Sequence, residues 1–280
     1  MYVHPKKALG QHFLKDTSVA QRIVEALCSA SIPQAYHFAN KLPVLEVGPG
    51  TGVLTQFLME RSDIDLRAVE VDRESIDYLI DHFPALEGRL IEADFLKIDL
   101  RRLYASPFLV IGNFPYNISS QIFFKILEER DQIPVVVGML QKEVAERIAA
   151  PPGSKTYGIL SVLLQAWYEI ELLFSVAAHL FMPPPKVQSA VIRLTRNGRT
   201  VLPCPEALFK QVVKATLNQR RKVIRNSIKQ VTGSAPLPEH PLLLLRPEQL
   251  GVAQFVELTN LVSEYLKVRF TGDGRPLPKT

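Results

Sequence analysis

The chain has 280 residues, 47% of them hydrophobic, and a formal net charge of +5. This length and composition allow one large domain with a substantial core plus a smaller unit, and the mild basic excess fits a nucleic-acid partner without requiring one. Two cysteines without paired spacing, no signal-peptide pattern and no apolar run that could cross a membrane argue for a cytoplasmic protein without a membrane partner.

The chain begins with a basic, glycine-containing segment over residues 1–16. Apolar residues then recur at helical spacing between Val19 and Leu27, which predicts a helix. Thr17 or Ser18 is suited to cap the first turn of this helix, because a hydroxyl can accept a hydrogen bond from a free backbone N–H group.

A strand, a glycine turn and a helix come next, an order that is typical of a nucleotide-binding domain. Residues 42–47 predict the strand, and residues 48–52 carry glycines at every second position, which lets the backbone pass close to a ligand. A second strand over residues 66–71 contains Glu70, 22 positions after Gly48, where a carboxylate can bind a ribose diol. This pattern alone also suits a dinucleotide dehydrogenase. The turn is G-x-G-x-G rather than G-x-G-x-x-G, however, and no catalytic His–Arg set of that class is apparent.

Asp94 follows a third predicted strand over residues 89–92. At the carboxyl end of a strand, its carboxylate can accept a hydrogen bond from the amino group of an adenine, beside which Phe95 can pack. A turn cap is the alternative interpretation of an aspartate at such a position.

The most informative stretch is residues 110–116. The apolar run over residues 108–111 predicts a buried strand, the fourth of the sheet, over residues 109–113, and this strand brings Asn113, Pro115 and Tyr116 to its carboxyl end. In open α/β sheets, ligands bind at the carboxyl ends of strands. Asn113 offers a side-chain carbonyl, and the carbonyl before Pro115 lies on rigid backbone, so two acceptors can hold the two hydrogens of an exocyclic amine. Tyr116 offers a ring face on which a base can stack. A structural turn with a half-buried tyrosine is the alternative.

The remaining pattern completes an α/β fold. Ser119 or Ser120 can cap a helix that follows. Further strands are predicted over residues 135–140, 168–174 and 190–195, and further helices from residue 142 onward and over residues 157–166. Alternating strands and helices followed by two late strands predict a mainly parallel sheet wrapped by helices. Phe181 precedes a stiff triple proline that can hold it in a fixed place.

The composition changes near residues 197–199, where we place a domain boundary. Residues 205–268 predict helices, and the tail after residue 270 is expected to be disordered. No acidic residue lies between Ala207 and Pro238, a stretch with seven basic residues: Lys210, Lys214, Arg220, Arg221, Lys222, Arg225 and Lys229. On a helix, Lys214, Arg221 and Arg225 share a face, as do Lys222, Arg225 and Lys229. A solvated face is the default for such a run, but the absence of acids favours a phosphate-contacting surface.

Together these segments resemble the rRNA adenine N6-dimethyltransferases over nearly the whole chain. Residues 7–14 (KALGQHFL) resemble the N-terminal segment of that family, residues 45–52 (LEVGPGTG) its S-adenosylmethionine turn, and residues 113–116 (NFPY) its Asn-Leu-Pro-Tyr catalytic loop. Residues 181–191 (FMPPPKVQSAV) and 218–222 (NQRRK) match later signatures, which favour the bacterial branch acting on 16S rRNA over the resistance branch acting on 23S rRNA.

Two positions depart from the family pattern. His12 stands where Asn is usual, which puts its contact to the methionine part of the cofactor in question, and Phe114 stands where Leu is usual. Because Phe and Leu are both apolar, we expect Phe114 to repack the catalytic loop without changing its chemistry.

The resemblance implies a Rossmann-like class I methyltransferase domain over residues 1–198, with a mainly parallel seven-stranded sheet. It also implies a small all-helical domain over residues 199–270 that contacts RNA or the ribosome, before a disordered tail over residues 271–280. The implied cofactor is S-adenosyl-L-methionine. The implied substrate is two adjacent adenosines in a hairpin loop near the 3′ end of 16S rRNA, in an immature 30S subunit, and we expect a monomer without a metal.

The resemblance and the residue patterns together yield three groups of site residues. The cofactor would be bound by His12, Leu14, Gly48, Gly50, Glu70, Asp94 and Asn113. The catalytic group would comprise Asn113, Pro115, Tyr116 and Phe181, with the flipped adenine between the rings of Tyr116 and Phe181. The RNA backbone would be contacted by Arg220, Arg221, Lys222 and Arg225.

Two alternatives of other kinds stay open. The chain could serve chiefly as a ribosome assembly factor, with methylation secondary. It could also be a related N6-adenine methyltransferase that acts on 23S rRNA or on DNA, because the Asn-Pro-Tyr chemistry serves any exposed adenine.

Overall fold

A computed structural model describes residues 3–38, 40–233 and 237–269. The chain divides into two units: unit 1 is Met1–Glu146 with Trp167–Gly198, and unit 2 is Arg147–Ala166 with Arg199–Thr280. The sequence prediction places a domain boundary at residue 198. The sequence prediction assigns residues 147–166 to the first domain, but the structure groups them with unit 2, because their helix packs against the helix over residues 206–217. The predicted tail over residues 271–280 lies outside the described residues.

The strands of unit 1 form two sheets. In chain order they are β1 (Phe13–Leu14), β2 (Leu42–Val47), β3 (Ile64–Glu70), β4 (Leu90–Glu92), β5 (Leu109–Asn113), β6 (Val135–Gln141), β7 (Tyr168–Val176), β8 (Phe181–Met182) and β9 (Ser189–Arg196). The large sheet has seven strands in the order β4-β3-β2-β5-β6-β9-β7, and the small sheet pairs β1 with β8. The prediction of a mainly parallel, seven-stranded sheet is therefore confirmed.

The parallel part of the sheet runs from β4 to β6, and β9 is antiparallel to both of its neighbours, β6 and β7. The bounds of β2 and β5 are those that the sequence predicts, because both strands are buried on two faces and are therefore mostly apolar, apart from Glu46 in β2 and Asn113 at the end of β5. All these parallel strands end at the same edge of the sheet, so the residues after β2, β3, β4 and β5 come together there.

The helices of unit 1 are α1 (Thr17–Cys28), α2 (Thr55–Met59), α3 (Arg73–His82) and α4 (Ser119–Glu128), and α5 (Lys142–Ala149) crosses into unit 2. The predicted cap of α1 is wrong: the cap is Asp16, whose carboxylate accepts a hydrogen bond from the Val19 N–H group at 2.9 Å. The predicted serine cap of α4 is also wrong, because Ile118 holds the cap position without a side-chain hydrogen bond.

The buried face of α1 packs into the core of the large sheet. Ile23 and Leu27 of this helix belong to the same apolar cluster as Ile111 of β5 and Val137 of β6, and all four are at most 1% exposed. Each such side chain contributes about 1.5–3 kcal/mol by leaving water. This core fixes the strands whose ends carry the site.

Unit 2 is built from helices: α6 (Ile159–Gln165), α7 (Glu206–Leu217), α8 (Ile224–Ser227), α9 (Lys229–Thr232) and α10 (Val252–Arg269). The prediction of helices after residue 205 is confirmed. The shared basic faces are wrong, because α7 ends at Leu217 and a turn separates it from α8, so helical spacing does not extend from Lys214 to Arg225.

Within the described residues, no helix combines the length and the apolar character that a membrane span needs. The same part of the chain contains no group of three or more His, Cys, Asp or Glu residues arranged to hold a metal ion.

Candidate active site

A cavity in unit 1 lies at the edge of the sheet where β2 to β5 end. Its free volume is about 220 Å³, and its mouth opens to solvent. The structure brings all the predicted cofactor residues to this cavity: His12, Leu14, Gly48, Gly50, Glu70, Asp94 and Asn113. Pro115 and Tyr116 also line it, so three of the four predicted catalytic residues share this space with the predicted cofactor residues.

The glycine turn after β2 forms one wall. Gly48 has φ +66° and Gly50 has φ +58°, a left-handed conformation that side chains rarely adopt. A Cβ atom on Gly50 would lie 2.9 Å from the ring of Phe13, whereas a Cβ atom on Gly48 would enter open space. At Gly48 the backbone is therefore bare toward the cavity, as close approach to a ligand requires.

Glu70 closes the end of β3 beneath this turn. Its carboxylate accepts hydrogen bonds from the backbone N–H groups of Gly50 at 3.1 Å and of Val71 and Asp72 at 2.9 Å. Burial raises the pKa of Glu70, while these three hydrogen bonds oppose the rise. Each carboxylate oxygen can accept more than one hydrogen bond, so Glu70 can hold the turn and still accept from a hydroxyl pair.

Glu46 is a lining residue that the sequence reading missed. It is 1% exposed, and its Oε2 atom accepts a hydrogen bond from the Thr55 hydroxyl at 2.7 Å. Burial raises the pKa of Glu46 to about 8, and the neighbouring Glu70 charge adds to the rise. The available signal was an acid inside the otherwise apolar strand β2.

The N-terminal segment forms the opposite wall, and it is fastened to the end of β3. Lys6 forms an ion pair with Asp72, and Gln11 donates a hydrogen bond from Nε2 to Asp72 Oδ2 at 3.1 Å. Burial would raise the pKa of Asp72, but the hydrogen bonds from Lys6, Gln11 and Ser75 outweigh it and lower that pKa. An ionised Asp72 therefore holds residues 9–14 against the cavity.

Asn113 stands at the last position of β5. Its Nδ2 atom donates a hydrogen bond to the His12 carbonyl at 2.9 Å. The amide nitrogen is therefore engaged, and the Oδ1 atom is left as the acceptor, which is the orientation that capture of an amine requires.

Phe114 is buried at 1% exposed, as the prediction of a repacked loop implies. Its ring lies over Gly112 of β5 and Gly138 of β6, where an added Cβ atom would approach ring atoms within 2.8 Å and 2.3 Å. The ring also meets Phe123 edge to face, with centroids 5.7 Å apart. The bulkier residue is therefore accommodated by two glycines beneath it.

Tyr116 is half-buried and is held at two points. Its hydroxyl hydrogen-bonds Ser189, and its ring stacks on that of His12, with centroids 5.3 Å apart and planes 28° apart. Burial raises the pKa of Tyr116, although the bond to Ser189 opposes the rise. The phenol is therefore neutral near pH 7, and it offers a ring face rather than a base.

Phe181 does not take the predicted position. It pairs with Leu14 through the β1–β8 ladder, is 0% exposed, and belongs to the hydrophobic core cluster rather than to the cavity wall. A fully buried ring cannot contact a base, so the expectation that the adenine lies between Tyr116 and Phe181 is not met in this structure. Phe181 instead anchors the strand that holds β1.

Asp94 follows β4 and has two contacts that the structure shows directly. Its Oδ1 atom accepts a hydrogen bond from the Leu96 N–H group at 3.0 Å, so it caps a turn, and it also lines the cavity. Its Oδ2 atom lies 3.4 Å from Lys97 Nζ, a residue that is 85% exposed.

The predicted RNA-contacting residues lie in unit 2. Arg221, Lys222 and Arg225 are exposed and form no ion pair with an acidic residue in the described part of the chain. Arg220 donates a hydrogen bond to the Lys155 carbonyl at 2.8 Å, which ties it to the loop before α6.

Comparison with known families decides between the classes of nucleotide-binding protein. The family model described as "Ribosomal RNA adenine dimethylase" matches residues 3–241. The chain belongs to this family. It is an S-adenosylmethionine-dependent enzyme that dimethylates adenine in ribosomal RNA, so the predicted reaction, enzyme class and cofactor are confirmed. The open glycine turn, the acceptor on Glu70 and the acceptor on Asn113 fit that cofactor and that substrate.

Curated relatives align over almost their full length. "Ribosomal RNA small subunit methyltransferase A" of Parabacteroides distasonis is 59% identical and that of Bacteroides thetaiotaomicron is 60% identical, each over 95% of this chain and 96% of the relative. Among solved structures, 23S rRNA methyltransferase ErmE is 25% identical, with a TM-score of 0.63 over 90% of this chain and 99% of its own. A dimethyladenosine transferase from Plasmodium falciparum shares the fold, with a TM-score of 0.71 at 22% identity over 91% and 98% of the two chains.

Proposed function

We propose that this chain dimethylates N6 of two adjacent adenosines in the hairpin loop near the 3′ end of 16S rRNA, within an immature 30S particle in the cytoplasm. The choice of the small subunit is supported by relatives at 59–60% identity that are named small subunit methyltransferases. The single observation that carries the chemistry is the cavity itself, because it joins the glycine turn to the acceptor on Asn113.

The target amine is captured by two acceptors on the catalytic loop. Asn113 Oδ1 accepts one N6 hydrogen, since its Nδ2 atom is bound to the His12 carbonyl. The Phe114 carbonyl, fixed by the following Pro115, accepts the other. Holding both hydrogens in this way takes the nitrogen lone pair out of conjugation with the ring and leaves it free to attack. Positioning and fixed dipoles supply the rate enhancement.

Tyr116 receives the adenine after it leaves its stack in the RNA loop. A base stacked on an aromatic side chain gains about 1–3 kcal/mol, which offsets part of the cost of unstacking. Because the pKa of Tyr116 is raised by burial, the phenol does not remove the proton. No strong base is needed, since the methylated amine is acidic and loses its proton to water.

Bound S-adenosylmethionine supplies the electrophilic methyl group that N6 takes up. Gly48, whose side-chain position opens onto free space, would let the cofactor approach the backbone, and Glu70 would accept hydrogen bonds from its ribose hydroxyls. After the first transfer the amine retains one hydrogen, so one of the two acceptors is released and the cavity must admit a methyl group in its place.

Tritiated methyl transfer to undermethylated small subunits tests this proposal, with the modified base identified by mass. We expect N6,N6-dimethyladenosine at two adjacent positions, and a rate lower by about 10²–10³ for Asn113→Ala, by analogy with loss of a transition-state hydrogen-bonding group. Near-normal turnover by Asn113→Ala would remove the catalytic assignment.

Competition between small subunits, 23S rRNA and DNA as methyl acceptors distinguishes the alternative functions. Faster transfer to 23S rRNA or to DNA than to small subunits would reject the proposed substrate. Tight binding of small subunits by Asn113→Ala without turnover would show that recognition and methylation are separate roles, as expected of an assembly factor.

We place the contacts to RNA phosphates on Arg220, Arg221, Lys222 and Arg225 of unit 2, because the last three are exposed and have no acidic partner among the described residues. Arg221→Glu is expected to weaken binding and to reduce the slope of log affinity against log salt. Lys41→Glu is the matched control, since Lys41 is an exposed residue before the amino end of β2. Equal affinity of both variants would mean that the basic run is only a solvated face.

A further inference from the structure

His12 connects three parts of the site. Its ring Nδ1 atom lies 2.8 Å from the carbonyl oxygen of Pro183, a residue 171 positions later in the chain. Its ring stacks on Tyr116, and its own carbonyl accepts the hydrogen bond from Asn113. Both residues that contact the target adenine are thus held by one residue of the N-terminal segment.

The contact with Pro183 fixes the orientation of the imidazole. A carbonyl oxygen can only accept a hydrogen bond, so Nδ1 carries the hydrogen and donates it. Rotation of the ring would break this bond. The plane of the ring therefore stays aligned with that of Tyr116.

Tyr116 is consequently immobilised on one side. Ser189, which is fully buried, holds its hydroxyl, and His12 covers one face of its ring. Since Phe181 is buried in the core and gives no second ring, the uncovered face of Tyr116 is the stacking surface for the base.

We propose that His12 is a positioning residue for the target adenine: its imidazole holds Tyr116 so that the uncovered face receives the base, and it adds nothing to cofactor affinity. This inference rests on the proposed adenine chemistry of the same cavity. The Asn that is usual at this position in the family can bond the Pro183 carbonyl but has no ring to stack, so the stack is a feature of this chain.

The test places His12→Ala in two backgrounds, wild type and Tyr116→Ala. In the wild type we expect kcat/KM for the RNA substrate to fall about three- to tenfold, the range that loss of a stacked ring pair produces. The dissociation constant for S-adenosylmethionine, measured by calorimetry, should change less than about twofold. In the Tyr116→Ala background His12→Ala should have no further effect, because no ring remains to be positioned.

Two more substitutions separate the ring from the hydrogen bond. His12→Phe keeps a ring that can stack and should recover most of the lost kcat/KM, whereas His12→Asn should stay as slow as His12→Ala. Weaker cofactor binding by His12→Ala in both backgrounds, or equal loss in the Phe and Ala variants, overturns the inference.

His82→Ala is the matched control, because His82 also stacks on a tyrosine, Tyr78, with centroids 3.8 Å apart, but does not line the cavity. Its kinetics should equal those of the wild type. The comparison is made on the ribosomal RNA that the wild-type chain methylates fastest. If the wild-type chain prefers another RNA, the proposed substrate is wrong. The His12 variants then still test the positioning role of His12 on that RNA.

Discussion

The Phe114 ring packs over Gly112 and Gly138, so a side chain added at either glycine should displace the catalytic loop by a steric clash alone. Gly138→Ala would put a Cβ atom 2.3 Å, 2.8 Å and 3.1 Å from three atoms of the Phe114 ring. The ring cannot retreat easily, because it is 1% exposed and packs against Phe123. In a strand, Gly→Ala would otherwise stabilise the protein slightly. A loss of stability in Gly138→Ala can therefore be attributed to this clash.

Overpacking of this kind costs about 1–3 kcal/mol in free energy of unfolding. The displaced Phe114 lies between Asn113 and Pro115, so the acceptors move with it, and a misplacement near 1 Å can lower the rate on the order of 10²-fold. Urea unfolding and methyl transfer measure the two effects. We expect both in Gly138→Ala and no loss of methyl transfer in Gly251→Ala, where an added Cβ atom meets ordinary contacts from 3.5 Å outward.

A second substitution makes the reasoning refutable. Phe114→Leu should rescue Gly138→Ala, because the smaller side chain vacates the space. It should not rescue Gly112→Ala, because that Cβ atom also meets the Val47 backbone carbonyl at 2.6 Å, which cannot yield. Full stability and activity of Gly138→Ala, or equal rescue of both glycine variants, would refute the account.

Two further predictions concern the buried carboxylates of the cavity. Glu46 has a pKa of about 8 in the folded state, against an ordinary value of 4.5, so the folded state binds more protons in this window and stability should fall as pH rises from 4.5 to 8. Glu46→Gln should remove this dependence, up to about 1.4 kcal/mol per pH unit, in urea melts at several pH values; parallel wild-type and variant curves would contradict it. Glu70→Ala should weaken S-adenosylmethionine binding at least about tenfold in calorimetry, since it removes the ribose acceptor and the support of the Gly50 N–H group; unchanged affinity would exclude Glu70 from the cofactor site.

The sequence predicted the parts of the fold that local patterns determine. The strands β2 and β5 had the predicted bounds because burial on both faces favours apolar residues at most of their positions. The cavity residues after these strands were predicted for a related reason: residues that end parallel strands meet at one edge, whatever the rest of the chain does.

Features that depend on distant partners were not predictable in this way. The pairing of β1 with β8 involves strands of two residues each, too short to show a period, and it also explains the burial of Phe181. The raised pKa of Glu46 follows from what covers the strand rather than from the strand itself. The break after Leu217 lies in a stretch whose residues all tolerate a helix, so propensity did not reveal it.

The ladder between β1 and β8 has a consequence for synthesis on the ribosome. The wall of the cavity formed by residues 9–14 is held in place by residues Phe181 and Met182, so a nascent chain that ends before them lacks a closed binding site. Contacts between such distant positions form late, because closing a long loop costs entropy before any pairing repays it. We therefore expect competence to bind the methyl donor only after the first unit has been translated almost to its end.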